Sequence, residues 1–323
     1  MDSEDYNLTS PYTSGFLDYY NWSREADNET YYPGPKINTS KILTITISSI
    51  IIILGIIGNG LVIYVAGFRM KTISSMWFLH LAIADFLCCL SLPMYIEVSI
   101  DVYLSESLHN VYIFDIFLSN MNLCVSVLLL TAISIDRWVS VMWPFWAKVH
   151  RTQKLVRISV AIIWVLGVVW SGIVAYLSFF FHDMFFKEMP ALLTKFFIQF
   201  VIPVLIISTS YIMIVLKIRK SNRPQRSQRP YRIIFAVIFC FFICWAPDNI
   251  WPLITRNSEM YTFTTIVACL NSCLNPFIYV FMGQDFRQGF LRSIPFRVEK
   301  ALSELPDDPC REQADPKPAP HDV

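Results

Sequence analysis

The sequence predicts an all-α membrane protein: a bundle of seven transmembrane helices with a short amphipathic helix after the seventh. Three observations predict it. The chain's 323 residues are 54% hydrophobic and only 16% charged, far oilier than a soluble domain of ordinary make-up. Windows of about 20 mostly apolar residues, the length that crosses a bilayer's hydrocarbon, fit seven separate stretches. The basic residues are also sorted. Of 26 lysines and arginines, six (Arg24, Lys36, Lys41, Lys187, Lys195 and Arg256) lie before the first stretch or in and beside the even-numbered connections, leaving twenty on the opposite side. The positive-inside rule then puts the N-terminus outside and the C-terminus in the cytoplasm.

Residues 1–41 form an extracellular tail that mixes acids with tyrosines and is too poor in aliphatic side chains to pack. It carries four N-x-[ST] sequons, at Asn7, Asn21, Asn28 and Asn38, expected to be glycosylated on the lumenal side. "MDSEDYNLTS" has neither a basic n-region nor an apolar h-region, so the first span is expected to direct insertion, with the plasma membrane as destination. The spans fall at 42–68, 76–100, 111–142, 158–181, 191–216, 231–254 and 261–282, joined by connections too short for a second folded domain. Residues 42–282 are thus one transmembrane domain. Residues 283–299 read as an amphipathic cytoplasmic helix with Phe286, Phe290, Leu291 and Ile294 toward lipid, and 300–323 as a disordered tail. A net charge of +1 gives no field that would draw nucleic acid.

Polar groups inside spans either lock helix packing or mark function. Here they form a pattern: Asn59 in "GNGLVIY", Asp85 in "LAIADFL", Asn122 and Ser126 in span three, Asn271 and Asn275 in "NSCLNPFIY". Asp85 near mid-bilayer needs partners, and oxygens from three helices suit a small cation or a proton. Pro203, Pro247 and Pro276 each remove a backbone bond and set a bend in spans five, six and seven. Asp136 and Arg137, in "LLTAISIDRWVSV", would cost about 2.5–3.5 kcal/mol each at the bilayer centre. The topology puts them at the cytoplasmic boundary instead, where water and headgroups reduce that cost. Neither a nucleophile–base set nor intramembrane metal ligands stand out, and no inverted repeat suggests a transporter, so an enzyme or carrier is not the reading.

Asn59 after glycine, Asp85 in LAxAD, Asp136–Arg137, Trp164 in span four, Cys244–Pro247 as CWAP and Asn275–Tyr279 as NPFIY stand in order on the right spans. Together they resemble the rhodopsin-like (class A) G-protein-coupled receptors over about residues 42–297. "WFLHLAIADFLCCLSLP", "VAGFRMKT", "PFWAKVHRT" and "NSCLNPFIYVFMGQDFR" are similar to the chemoattractant branch of formyl peptide, complement anaphylatoxin and chemerin receptors. The resemblance implies a receptor for a chemotactic peptide, small protein or lipid that couples to a heterotrimeric G protein of the inhibitory class.

It also implies roles. Asp136 and Arg137 form the G-protein switch, with Tyr211 and Tyr279 as the tyrosines that approach the arginine in the active form. Trp245, Pro247, Phe241, Pro203 and Val127 form the activation lever. Asp85, Asn122, Ser126, Asn271 and Asn275 form a sodium site that favours the inactive state, and no other cofactor is implied. Span six has no acid facing Arg137, so the restraint on it is expected mainly from Asp136.

The chain also departs from that family. All eight cysteines lie in spans or in the C-terminal tail, and Tyr112 stands where the family's span-three disulfide cysteine belongs. The ligand pocket is expected among Glu97, Asp101, Asp115, Asn120, Lys195, Asp248 and Arg256, with Lys195 as anchor for a ligand carboxylate and Asp248 as its partner or as host to a cation. Acid-flanked Tyr6, Tyr19 and Tyr20 resemble sulfation sites, which would make the tail an anionic arm. With only Ser293 and Ser303 near the end, weak arrestin recruitment is expected. Besides the signalling receptor, a second reading is a decoy or signalling-silent receptor whose outer face has diverged.

Overall fold

The computed structural model describes residues 39–70, 72–100, 106–180, 192–220, 229–254 and 258–282; among them there is no strand. Eight helices are labelled here in chain order. These are α1 (Thr39–Tyr64), α2 (Ile73–Ile100), α3 (Glu106–Met142), the short α4 (Pro144–His150), α5 (Gln153–Phe180), α6 (Ile202–Lys220), α7 (Arg229–Ile254) and α8 (Ser258–Met282). Six of them are long and apolar enough to cross a membrane, and α8 adds a shorter apolar stretch, Thr262–Ile278. The four sequons, Tyr6, Tyr19, Tyr20, Asp101, Arg256 and everything from 283 onward lie outside the described residues, as do the side chains of Glu97 and Tyr279.

Local chemistry sets the helix limits. Thr72 and Ser75 cap the start of α2 reciprocally, each backbone N–H donating to the other's hydroxyl at 3.1 Å. Pro144 opens α4 at a position where its missing N–H costs nothing. Lys217, Arg219 and Lys220 close α6 against the negative end of its dipole. Two π-helical turns interrupt the regular pitch: Val65–Arg69 ends the first span, and Phe197–Val201 leads into α6 just ahead of Pro203. The bend expected at Pro203 is thus accompanied by a wide turn one residue upstream, where the extra residue per turn re-aims the side chains that follow.

The long α3 is central and packs against α2, α5 and α6; α1 lies between α2 and α8, and α8 also borders α7. In lipid, burying apolar surface between helices gains little, so association depends on close fit and on interhelical hydrogen bonds. Both are visible. A Cβ on Gly55 would lie 2.2 Å from Cys89 Sγ, and one on Gly167 would lie 2.4 Å from Val125 Cγ2. These glycines therefore let α1 approach α2 and α5 approach α3. Asn59 Nδ2 donates to Ser272 O at 2.6 Å and ties α1 to α8. A continuous core runs through Val62, Phe78, Leu81, Leu130 and Ile133 to Phe241 and Trp245, while the outward stripe of α5 (Ile158, Ile162, Val165, Val169) is exposed for lipid.

Candidate functional site

Three groups of polar or aromatic side chains lie along the bundle axis. At the end of the bundle where α3 finishes and α2 begins, Arg137 is 1% exposed, buried against the foot of α2, and its Nη2 donates to Ser74 Oγ at 2.5 Å. Asp136 lies beside it, but Arg137 Nε is 3.7 Å from Asp136 Oδ2. The carboxylate instead takes both arms of Arg151, Nε to Oδ1 at 2.7 Å and Nη2 to Oδ2 at 2.9 Å, in the bidentate geometry that a planar guanidinium favours.

Arg151 reaches that position because α4 turns the chain back. Trp143 packs edge-on against Trp138 at 4.9 Å, Ala147 is buried, and the Arg151 N–H donates to Ala147 O at 2.9 Å. The expectation that Asp136 chiefly restrains Arg137 is therefore modified: Ser74 makes the short contact and Arg151 occupies the aspartate. Sequence reading missed both, although the capping pattern at Thr72–Ser75 and the arginine 15 residues after Asp136 were in view. Tyr211 is buried near this end and tilts against Phe235 at 6.0 Å.

In the middle, Asp85 is fully buried and accepts from Asn122 Nδ2 at 3.3 Å and Asn275 Nδ2 at 2.7 Å, joining α2, α3 and α8. Beside these bonds, Asn122 Oδ1, Ser126 Oγ, Asn271 Oδ1 and Asn275 Oδ1 are buried acceptor atoms without a hydrogen-bond partner. Just across the bundle, Trp164 Nε1 is 3.3 Å from His80 Nδ1 and links α5 to α2.

Toward the opposite end, Trp245 is 3% exposed, 6.2 Å from Phe241 between ring centroids, and shares its core with Val127. Pro203 is buried, and Pro247 lies within α7 two residues after Trp245. Phe200, from the π-helical turn, meets Phe242 edge-on at 5.6 Å, so the wide turn of α6 touches the lever of α7. Above it, Lys195 Nζ lies 3.9 Å from Asp248 Oδ2, and Thr265 donates to Asp248 Oδ1 at 3.4 Å, so three spans meet at one carboxylate. Asn120 is buried on α3 with its amide committed to Ile116 O at 2.8 Å, and Asp115 is half-buried one helical turn and a residue outward. All seven described cysteines are free.

What this arrangement offers is a buried arginine held on two sides at one end, a polar centre, and an aromatic lever below a charged cluster at the other end. No side chain among these is a nucleophile with an adjacent base. A family described as seven-transmembrane receptors (rhodopsin family) matches residues 58–279. The chain is 34% identical to chemerin-like receptor 1 of Sus scrofa, over 94% of this chain and 93% of that protein. It is 35% identical to formyl peptide receptor 2 of Mus musculus, over 81% of this chain and 86% of that protein. It is 34% identical to the C3a anaphylatoxin chemotactic receptor of Danio rerio, over 90% of this chain and 85% of that protein.

Proposed function

The chain belongs to the rhodopsin family of seven-transmembrane receptors, signalling proteins rather than enzymes, and from that premise we propose that it is a plasma-membrane receptor for a chemotactic peptide or small protein, coupled to an inhibitory G protein. The observation that carries this reading is the state of Arg137: buried, bonded to Ser74, and beside an Asp136 that is itself clasped by Arg151. A charge kept at the cytoplasmic face by contacts that a helix movement can break is suited to release toward a partner. A purely structural arginine would need no such separable holders.

Ligand binding is read at the charged cluster. Asp248 balances Lys195, so an incoming carboxylate can take Lys195 only by weakening its link to α7, directly above Trp245. A ligand that prefers the altered packing shifts the population toward it by its difference in affinity for the two packings. The polar centre fits the sodium ion that the family's pattern implies. Asp85 would supply the charge, and the unpartnered oxygens of Asn122, Ser126, Asn271 and Asn275 the remaining coordination. An ion held there favours whichever packing keeps these oxygens together.

The N-terminal tail is read as the extracellular arm. The decoy reading rests on the absent extracellular cysteines alone; the switch, the polar centre and the lever are all retained. The test is a tagged, surface-delivered receptor in cells, challenged with synthetic chemotactic peptides while cAMP is followed. Inhibition of cAMP that pertussis toxin removes, and that Arg137→Ala abolishes with ligand binding retained, is the expected result. Ligand binding at the surface with unchanged cAMP would turn the reading to the decoy.

A further inference from the structure

The two members of the ion pair between Lys195 and Asp248 are held unequally. Lys195 Nζ stops 3.9 Å from Asp248 Oδ2, beyond hydrogen-bond range, and its side chain is 24% exposed against 11% for the aspartate. Asp248 sits on α7 three residues past Trp245, and Thr265 of α8 donates to its other oxygen at 3.4 Å. The lysine's ammonium rides on a flexible four-carbon stem, whereas the aspartate's short side chain has little room to turn. When the pair opens, the lysine moves and the carboxylate stays.

That inequality constrains whatever opens the pair. A lone carboxylate that draws Lys195 toward itself leaves Asp248 buried without a counter-charge, and stripping one partner from a buried pair is far more damaging than removing both. Nothing on the flanking helices takes the lysine's place. From Ile233 to the end of α7, and along the whole of α8, there is no basic side chain. Asn249, one residue on, has its amide nitrogen donating to Trp245 O at 2.9 Å, and its Oδ1 is a buried acceptor without a hydrogen-bond partner. The position that Nζ vacates beside Asp248 is therefore charged for a second cation.

We propose that this pair selects peptides whose final residue is lysine or arginine with a free carboxylate. The carboxylate takes Lys195, and the side-chain cation replaces Nζ at Asp248. The order of depth decides which group goes where. Lys195 is the more exposed member and Asp248 the more buried, so a peptide entering from the open side meets the lysine with its main-chain terminus and reaches the aspartate with a side chain. An amidated end or an apolar last residue satisfies one charge and strands the other. The inference rests on Lys195 as the ligand anchor of the receptor reading and goes beyond it by naming the ligand's last residue.

Three short peptides separate the two charges: acetylated tri-alanine followed by lysine with a free carboxylate, by norleucine with a free carboxylate, or by lysine amide. Affinity for the purified full chain is read from the rise in melting temperature as each peptide is titrated. The first should bind about tenfold or more tighter than either of the others. Asp248→Asn should bring the lysine and norleucine ends level, and Lys195→Gln should bring the free and amidated lysine ends level. Equal affinity for lysine and norleucine ends in the unchanged chain, which requires no variant to fold, would overturn the proposal. So would a lysine peptide that does not bind, or a lysine preference that survives Asp248→Asn. Following cAMP in cells with the same peptides keeps the two readings apart. A lysine preference in binding with unchanged cAMP leaves this inference standing and turns the receptor reading to the decoy; suppression of cAMP by all three ends alike keeps the receptor and overturns the inference.

Discussion

At Asp136 two cations compete for one carboxylate, and distance decides between them. Arg151 meets both oxygens at hydrogen-bond range, while Arg137 is 3.7 Å away and satisfies itself at Ser74. A hydrogen bond to a charged group contributes about 1.5–3 kcal/mol, so removing the Ser74 hydroxyl weakens the inactive arrangement by up to that amount. Ser74→Ala is expected to raise ligand-independent suppression of cAMP by roughly tenfold or more, since about 1.4 kcal/mol is a factor of ten; no change would show that Ser74 is a bystander.

Lys195 and Asp248 allow a swap. Each single change, Lys195→Asp or Asp248→Lys, should lower thermal stability by about 1–3 kcal/mol, between the exposed and buried limits for ion pairs. The double swap should recover the melting temperature but not the peptide response, which requires the cation at position 195 on the fifth span. Stability that fails to recover would mean that the 3.9 Å approach is not an energetic link. For Asp85, basal signalling of the unchanged protein should be lower in sodium than in potassium, and Asp85→Asn should be indifferent to the exchange.

Helices are where the sequence was most readable, and their ends are where it was least. The fourth span was expected at 158–181 and runs as Gln153–Phe180; the third was expected at 111–142 and begins at Glu106. Apolar windows mark hydrocarbon thickness, but hydrogen-bonded turns continue past it into the headgroups, so the observed helices are longer. The helix α4 and the π-helical turn at Phe197–Val201 were not legible at all. Seven residues are too few for a periodic signal, and a wide turn leaves no mark on composition.

The same limit explains the site: Asp85, Arg137 and Trp245 were legible as polar or aromatic residues in known motifs, whereas Arg151 and Ser74 matter only because a turn and a cap bring them there. Glycine contacts were also invisible, because what a glycine touches is a property of its neighbour. Gly167→Leu should destabilise the α3–α5 contact, lowering surface delivery and melting temperature, and Val125→Ala, which removes the atom at 2.4 Å, should restore part of both. Failure of that rescue would place the effect of Gly167 elsewhere.

Across the whole molecule the charges and the packing tell one story. Basic residues gather at one end of the bundle, the separable holders of Arg137 are at that end, and the charged cluster of Lys195 and Asp248 is at the other, with the aromatic lever between. The two ends are joined by α3, which carries Asn120 near one and Asp136–Arg137 near the other and touches three neighbouring spans. A change in packing around α3 therefore has a route along a single rigid element. The most direct measurement is nucleotide exchange on a purified inhibitory heterotrimer by the reconstituted receptor without ligand, comparing the unchanged chain, Arg151→Ala, and Arg151→Ala with Arg137→Ala. Loss of Arg151 leaves Asp136 to Arg137 alone, so exchange should fall below that of the unchanged chain, and loss of Arg137 in the same protein should take it to the rate of the heterotrimer alone. Exchange that rises in a well-folded Arg151→Ala receptor, or that persists above the heterotrimer's own rate without Arg137, would contradict the switch.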